Sequence, residues 1–322
     1  VSVVVIALGW DTQFLAQLSY LNTTGTEQQL IQQLRASPSR YPAENESQIP
    51  SLAGATLWLN SPPLTPQSLQ GKVVLIDFWT YSCINCIRTL PYIKAWDAQY
   101  RDKGLVIIGV HSPEFGFEKI PDNVQRAVVE FNLHYPIALD NNYAIWNAFH
   151  NHYWPAHYLF DAKGQLRDTH FGEGDYESTE RTIQSLLREA NPTLSGFDRQ
   201  SVSVNGTGAA APSAHFPISP ETYIGYARQS GFSSIERISR DQASNYTPPN
   251  RLALNQWALA GNWLIRAESG TLQSVTGSMS YHFEGRDLHL VMGSQEKTSI
   301  HFRVTLDGQA PGESHGVDTD AQ

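Results

Sequence analysis

Between residues 73 and 190 the chain switches repeatedly between short apolar runs and longer segments of helical period, and that alternation limits its fold more than any other feature. VVLIDFW (73–79) is a continuous apolar run of strand length. The segment that follows, CINCIRTLPYIKAWDAQYRDKG, puts Ile87, Leu90, Ile93, Trp96 and Tyr100 on one helical face, with Gly104 as a stop. LVIIGV (105–110) reads as a second buried strand, DNVQRAVVEFNL as a helix with Asp122 at its N-cap, YPIALD as a strand and NNYAIWNAFHN as a short helix. AHYLFDAKGQLRDTHFG reads as a hairpin with Gly164 at the turn, and DYESTERTIQSLLREA as a closing helix capped by Asp175 or Ser178. Strands joined through helices should pair in parallel, and the hairpin should add an antiparallel edge. Residues 51–190 are therefore expected to form one compact α/β domain.

The remainder is organised around that domain. The opening VSVVVIALGW is far shorter than the ~20 apolar residues that span a bilayer and lacks the basic start of a signal peptide. It reads either as the end of a membrane helix or as a buried strand. Residues 11–50, with the helical pattern TEQQLIQQL, form a polar connector, and SLAGATLWLNSPPLTPQSLQGK suggests a short hairpin. Residues 191–216 are small, polar and rich in Gly, Ala and Pro, as a linker is. From 217 to 322, apolar and polar residues alternate between glycine turns without a helical pattern, which predicts an antiparallel β-sandwich. No closing element follows its last strand-like stretch. A net charge of −9 and the lack of any Lys/Arg-rich run exclude nucleic acid as a partner.

Chemistry concentrates in DFWTYSCINCIRTLP (77–91), which holds Cys83 and Cys86, the only 2 cysteines of the 322 residues. Structural zinc takes four Cys/His ligands, usually in two spaced pairs. No second pair exists, and His150 and His152 fall at a helix end, so no metal and no cofactor is expected. A disulfide stabilises mainly by closing a long loop, and this one would close almost none. Redox exchange fits the placement. A helix beginning at Cys83 would favour its thiolate, the attacking species, and Cys86 would follow one turn on to resolve the mixed disulfide.

The stretch VLIDFWTYSCINCIRTLP resembles the active site of thioredoxin-fold proteins, and residues 52–190 resemble the TlpA/ResA group of extracytoplasmic thiol-disulfide oxidoreductases. With GVHSPEF (109–115) and NNYAIWNAFHNHYWPAHYLFDAKG (141–164), the pattern is similar to the DipZ proteins. In those, a CcdA-like membrane domain precedes a thioredoxin-like domain and a C-terminal β module. The resemblance implies that residues 1–10 end a transmembrane helix and that 217–322 form a jelly-roll domain like a carbohydrate-binding module. It also implies a membrane-anchored, extracytoplasmic reductase. Electrons would pass from the CcdA-like domain to disulfides of exported proteins, apocytochrome c among them.

The same resemblance assigns roles to single residues. Cys83 attacks and Cys86 resolves. Asp77, inside the first strand, matches the buried acid that takes the proton of the second thiol. Pro155 matches the cis-proline that faces the cysteine pair, and Trp154 and Tyr81 border the substrate groove. Pro91, within the helix, is structural, and Glu114 is a candidate polar group beside the disulfide. The dipeptide Ile84-Asn85 places no cation between the sulfurs, in keeping with a reductant. Two other functions stay open: a disulfide oxidase of the same fold, and a binding module whose β domain takes a glycan or protein partner. Trp257, Trp263 and Tyr281 would stack on the glycan, or else form the β domain's core, the assignment we favour.

Overall fold

A computed structural model of the chain describes residues 2–5, 48–194, 204, 219–285, 287–293 and 301–316. They fall into two compact units, one made of residues 48–194 with 204, the other of Ser2–Val5 with the described residues from 219 onward. The connector helix pattern TEQQLIQQL and most of the linker lie outside the described residues, as do residues 1 and 6–10. The described part of the opening run is strand β1 (Ser2–Val5), which belongs to the second unit, where a helix end had been expected.

In the first unit, β2 (Leu57–Leu59), β3 (Val73–Trp79), β4 (Leu105–His111), β5 (Ile137–Leu139), β6 (Ala156–Phe160) and β7 (Leu166–Phe171) make one sheet in the order β2-β5-β4-β3-β6-β7. β3, β4 and β5 are mutually parallel, and β2, β6 and β7 pair antiparallel. The helices are α1 (Ile84–Tyr100), α2 (Pro121–Glu130), α3 (Ala144–Ala148) and α4 (Tyr176–Ala190). This is the expected α/β domain, a thioredoxin-like fold.

All seven residues of β3 are buried, because the strand is central and covered on both faces. Val73, Leu75 and Trp79 pack in one cluster with Leu90, Ile93 and Trp96 of α1, Val124 and Val128 of α2, and Ile183 and Leu187 of α4. Val74, Ile76 and Phe78 face the other way, onto Ile145 and Trp146 of α3 and Phe149. Asp77 follows the strand's alternation onto the first face.

Several local expectations are corrected. The buried stripe of α1 runs through Cys86, Leu90, Ile93, Trp96 and Tyr100, while Ile87 is only half-buried. Leu90, Ile93, Trp96 and Tyr100 are buried as expected, Cys86 takes the first place of the stripe in Ile87's stead, and the buried position after Ile87 is filled by Arg88, which has its own buried partner. No hairpin forms over 52–69. β2 pairs with distant β5, and after the Pro62-Pro63 break Thr65 caps a one-turn helix at Pro66–Leu69. Pro121 opens α2, so Asp122 sits in its first turn and Ile120 is the N-cap. Asp175 is the N-cap residue of α4, yet its side chain makes no cap bond. Its carbonyl accepts the N–H groups of Ser178 and Thr179 instead.

The second unit is β-rich. β8 (Ala243–Tyr246), β9 (Gln256–Ile265), β10 (Gly270–Leu272), β11 (Ser278–His282) and β12 (Leu290–Gly293) join β1, and every strand pairing is antiparallel. β9 changes partners at Gly261, which has φ +99: residues 256–260 pair with β11, later ones with β8 and β10. Trp257 and Trp263 are fully buried with Ile224, Leu259 and Ile265, as core and not as a stacking platform. Tyr281 is half-buried and stacks on Phe283.

Candidate active site

The seventh residue of β3 is Trp79, and the chain turns through Thr80, Tyr81 and Ser82 into α1. Cys83 is the N-cap of α1, and its Sγ accepts the backbone N–H of Cys86 at 3.4 Å. It therefore occupies the position where the first N–H groups of a helix lack intrahelical partners. Both thiols are unbridged, Cys83 7% exposed and Cys86 0%. The difference matters, since only the outer sulfur offers any surface to a substrate disulfide. Burial first, and then hydrogen bonding to Cys83, push the Cys86 thiol well above its usual range, and the charge of Asp77 adds to the effect. A proton on Cys86 would thus have to be taken away before this thiol could act as a nucleophile.

Asp77 has no exposed surface, and neither carboxylate oxygen has a hydrogen-bond partner. Among the described residues His157, its register partner on β6, is the one ionisable group in ion-pair reach, with Nε2 3.3 Å from Oδ1. That separation lies in ion-pair range, yet the angles do not make a hydrogen bond. The pair is best described as two buried groups sharing a site.

The Trp154–Pro155 peptide is cis. Pro155 is buried, its carbonyl accepts the N–H of Gly172, and the next residue, Ala156, pairs with Phe78. Pro155 thus lies at the end of the sheet where β3 runs into the Cys83 turn. Trp154 is half-buried; its Nε1 donates to the Ser112 carbonyl at 2.9 Å and its ring leans on Trp146. Ser112 is held in turn by Asp140, whose oxygens accept the N–H groups of Ile145 and Trp146 at the start of α3. Tyr81 is stacked on His111, and its hydroxyl donates to the Phe117 carbonyl at 3.3 Å. Burial pushes that hydroxyl up to about 12 and holds the His111 ring neutral, down at about 3.

Sequence reasoning pointed to Glu114 and missed Glu118. Glu118 is fully buried and accepts from Ser82 Oγ at 2.6 Å, Ser82 N at 3.4 Å, Glu114 N at 2.6 Å and Phe115 N at 2.9 Å. It ties the turn before Cys83 to the loop after β4, and Glu114 contributes a backbone donor to that tie. Arg88 was missed as well. Its guanidinium forms a buried ion pair with Glu173 at 3.2 Å, joining α1 to the segment after β7. Pro91 lies inside α1, as expected. Among the described residues no three His, Cys, Asp or Glu side chains gather as metal ligands, and no helix is long and apolar enough to cross a membrane.

Residues 44–187 match the Redoxin family model, and residues 219–322 match that of a thioredoxin-like C-terminal domain. The DipZ proteins of Mycobacterium tuberculosis and Mycobacterium bovis are 42% identical over 247 residues, 76% of this chain. The chain spans 35% of their length. Thiol-disulfide oxidoreductase YkuV of Bacillus subtilis is 32% identical over 141 residues, 44% of this chain and 95% of that protein. NHL repeat-containing protein 2 of Gallus gallus is 37% identical over 171 residues, 52% of this chain and 23% of that protein.

Proposed function

The chain belongs to the thioredoxin-like thiol-disulfide oxidoreductases, in a two-domain arrangement of the DipZ type, and from that premise we propose that it is an extracytoplasmic disulfide reductase. The observation that carries this reading is the graded pair of thiols: Cys83 at the helix N-cap and slightly exposed, Cys86 sealed one turn below.

The chemistry runs in two steps. The Cys83 thiolate attacks one sulfur of a substrate disulfide, and the other sulfur leaves as a thiolate. Cys86 then gives its proton to Asp77 and attacks Cys83 Sγ. The Cys83–substrate bond breaks, a Cys83–Cys86 bond forms, and two electrons have moved from the dithiol to the substrate. Trp154, Pro155 and Tyr81 border the surface on which an extended substrate segment lies, with the start of β6 offering backbone groups for strand-like pairing. Electrons return to the pair from a CcdA-like membrane domain of the same polypeptide. The substrates are disulfides of exported proteins, including apocytochrome c.

For the second unit the proposed architecture is an antiparallel sandwich like a carbohydrate-binding module, supported by the change of partners along β9. A glycan as its ligand draws no support from Trp257 and Trp263, which fill the core.

The test is the reduction potential of the Cys83–Cys86 couple, equilibrated against glutathione and dithiothreitol. A reductant should lie near the roughly −270 mV of thioredoxin or lower, whereas a value near the roughly −120 mV of a strong oxidant reverses the electron flow. Cys83→Ser should abolish disulfide reduction outright, and unchanged activity in that variant would refute the exchange mechanism.

A further inference from the structure

The sheet carries a transverse row of polar side chains that the exchange mechanism uses only in part. Ile137, Gly109, Asp77, His157 and His170 are successive register partners across β5, β4, β3, β6 and β7. Directly opposed residues on neighbouring strands share a face, so the two histidines continue the row from Asp77 towards the edge strand. Asp77 is 0% and His157 2% exposed, and both carboxylate oxygens and both ring nitrogens lack hydrogen-bond partners. A buried carboxylate without donors is costly, and so is a buried unpaired imidazole. Side by side at 3.3 Å, each is the group best able to relieve the other.

Resting on the exchange reading above, we propose that His157 is the proton partner of Asp77, and that the two act as one unit to receive the proton released by Cys86 in the resolving step. The Cys86 proton passes to Asp77 as the new S–S bond forms and is shared across the contact between Asp77 Oδ1 and His157 Nε2, while the departing substrate thiolate carries the negative charge away. The proton then leaves on the His157 side. His170 stacks on His157 with ring centroids 6.0 Å apart, and it is half-buried on the edge strand. His157 is thus a positioning residue that acts through Asp77.

The titratable surroundings are few. α1 contributes Cys86, whose thiol feels the charge of Asp77. Tyr135, just before β5, has a buried hydroxyl without a partner, pushed up by its burial and then by Asp77, Asp97 and Cys86. β7 contributes His170, lowered mainly by burial, and Asp168, raised mainly by burial; both lie on the His157 side. β4 offers only Gly109 opposite Asp77. Among the described residues no Lys or Arg pairs with Asp77, which leaves the His157 ring as the polar group beside it.

The experiment is a stopped-flow titration of the reduced chain with dithiobis(nitrobenzoate). The first nitrothiolate reports attack by Cys83, the second reports resolution by Cys86. With His157→Gln the resolving phase should slow about tenfold at neutral pH and its pH profile should move, as expected when the acceptor of the Cys86 proton loses the group that shares it. The attack phase should be unchanged. In an Asp77→Asn background the same substitution should have no further effect, because both act through one proton. Superimposable profiles for the native chain and His157→Gln overturn the proposal, as does an equal slowing in both backgrounds. The exchange reading itself fails differently, if no second nitrothiolate appears in the native chain. Should His157→Gln not fold, His157→Asn takes its place. An NMR titration of the native chain decides independently: His157 ring signals must respond to oxidation of the cysteine pair, and their indifference overturns the proposal.

Discussion

The two faces of β3 are equally buried and chemically opposite. Val74, Ile76 and Phe78 meet only packing partners, and Phe78 is boxed by edge-on contacts with Trp146, Phe149 and Tyr158 at centroid distances of 5.7, 5.2 and 5.6 Å. The face of Val73, Leu75, Asp77 and Trp79 carries the resolving thiol and a set of buried polar atoms without partners: both Asp77 oxygens, Trp79 Nε1, Trp96 Nε1, Tyr135 Oη and both His157 nitrogens. Native interiors contain few such atoms, because each costs free energy. Their gathering on the face that holds Cys86 supports the proposed proton transfer, with one face of the strand holding the fold and the other accepting a local cost.

That division is broken most directly by substitution at adjacent positions. Phe78→Ala should cost about 3–5 kcal/mol of stability, the usual range for deleting a buried aromatic ring. At temperatures where the variant is folded its exchange rate should match the native chain. Asp77→Asn should do the reverse. Removing general acid–base help slows a proton-coupled step by about a hundredfold or more, while an amide of the same shape in place of a carboxyl that accepts no hydrogen bond keeps the packing and leaves stability close to that of the native chain. Thermal melts with the two-phase nitrothiolate release measure both quantities on both variants. If Asp77→Asn loses as much stability as Phe78→Ala and keeps its resolving rate, the two faces are not specialised.

The apolar face was readable in advance and the polar face only in pieces. Continuous apolar runs fixed β3 and β4 to within a residue, because a strand buried on both sides leaves no choice of residue type. The cysteine spacing located the helix start, and the observed N-cap is Cys83 itself. Long-range pairing was not readable. The alternation in SLAGATLWLN reads equally as a local hairpin arm, whereas Leu57–Leu59 finds its partner in Ile137–Leu139. His157, inside AHYLFD, looks like any histidine in an apolar strand, and only its register against Asp77 gives it meaning. Arg88 is similar: on a helix it reads as a solvated charge until Glu173, far along the chain, is brought beside it. Glu114 and Glu118 share one loop, and nothing in their spacing says which carboxylate turns inward.

Glu118 sharpens the comparison because it is the second buried acid near the thiols and is satisfied where Asp77 is not. With donors from Ser82, Glu114 and Phe115 around it, replacing it with Gln sets an amide N–H₂ against backbone donors. Leaving such donors unpaired costs about 1–3 kcal/mol, with little change in the resolving phase, since the donors to Glu118 come from Ser82, Glu114 and Phe115 and not from either thiol. Its pH dependence has a definite sign. Burial, the dominant cause, raises the Glu118 carboxyl above its ordinary value of 4.5, against the opposing pull of its hydrogen bonds. The folded chain therefore binds a proton there more tightly than the unfolded chain. Stability from this group is fully present below the ordinary value and is lost as pH rises through the raised one. Melting temperatures of the native chain and Glu118→Gln should therefore diverge as pH is lowered from neutral towards 4.5, the native chain gaining on the variant. A gap that stays constant across that window would mean that Glu118 titrates alike in both states, and that its four donors fully offset its burial.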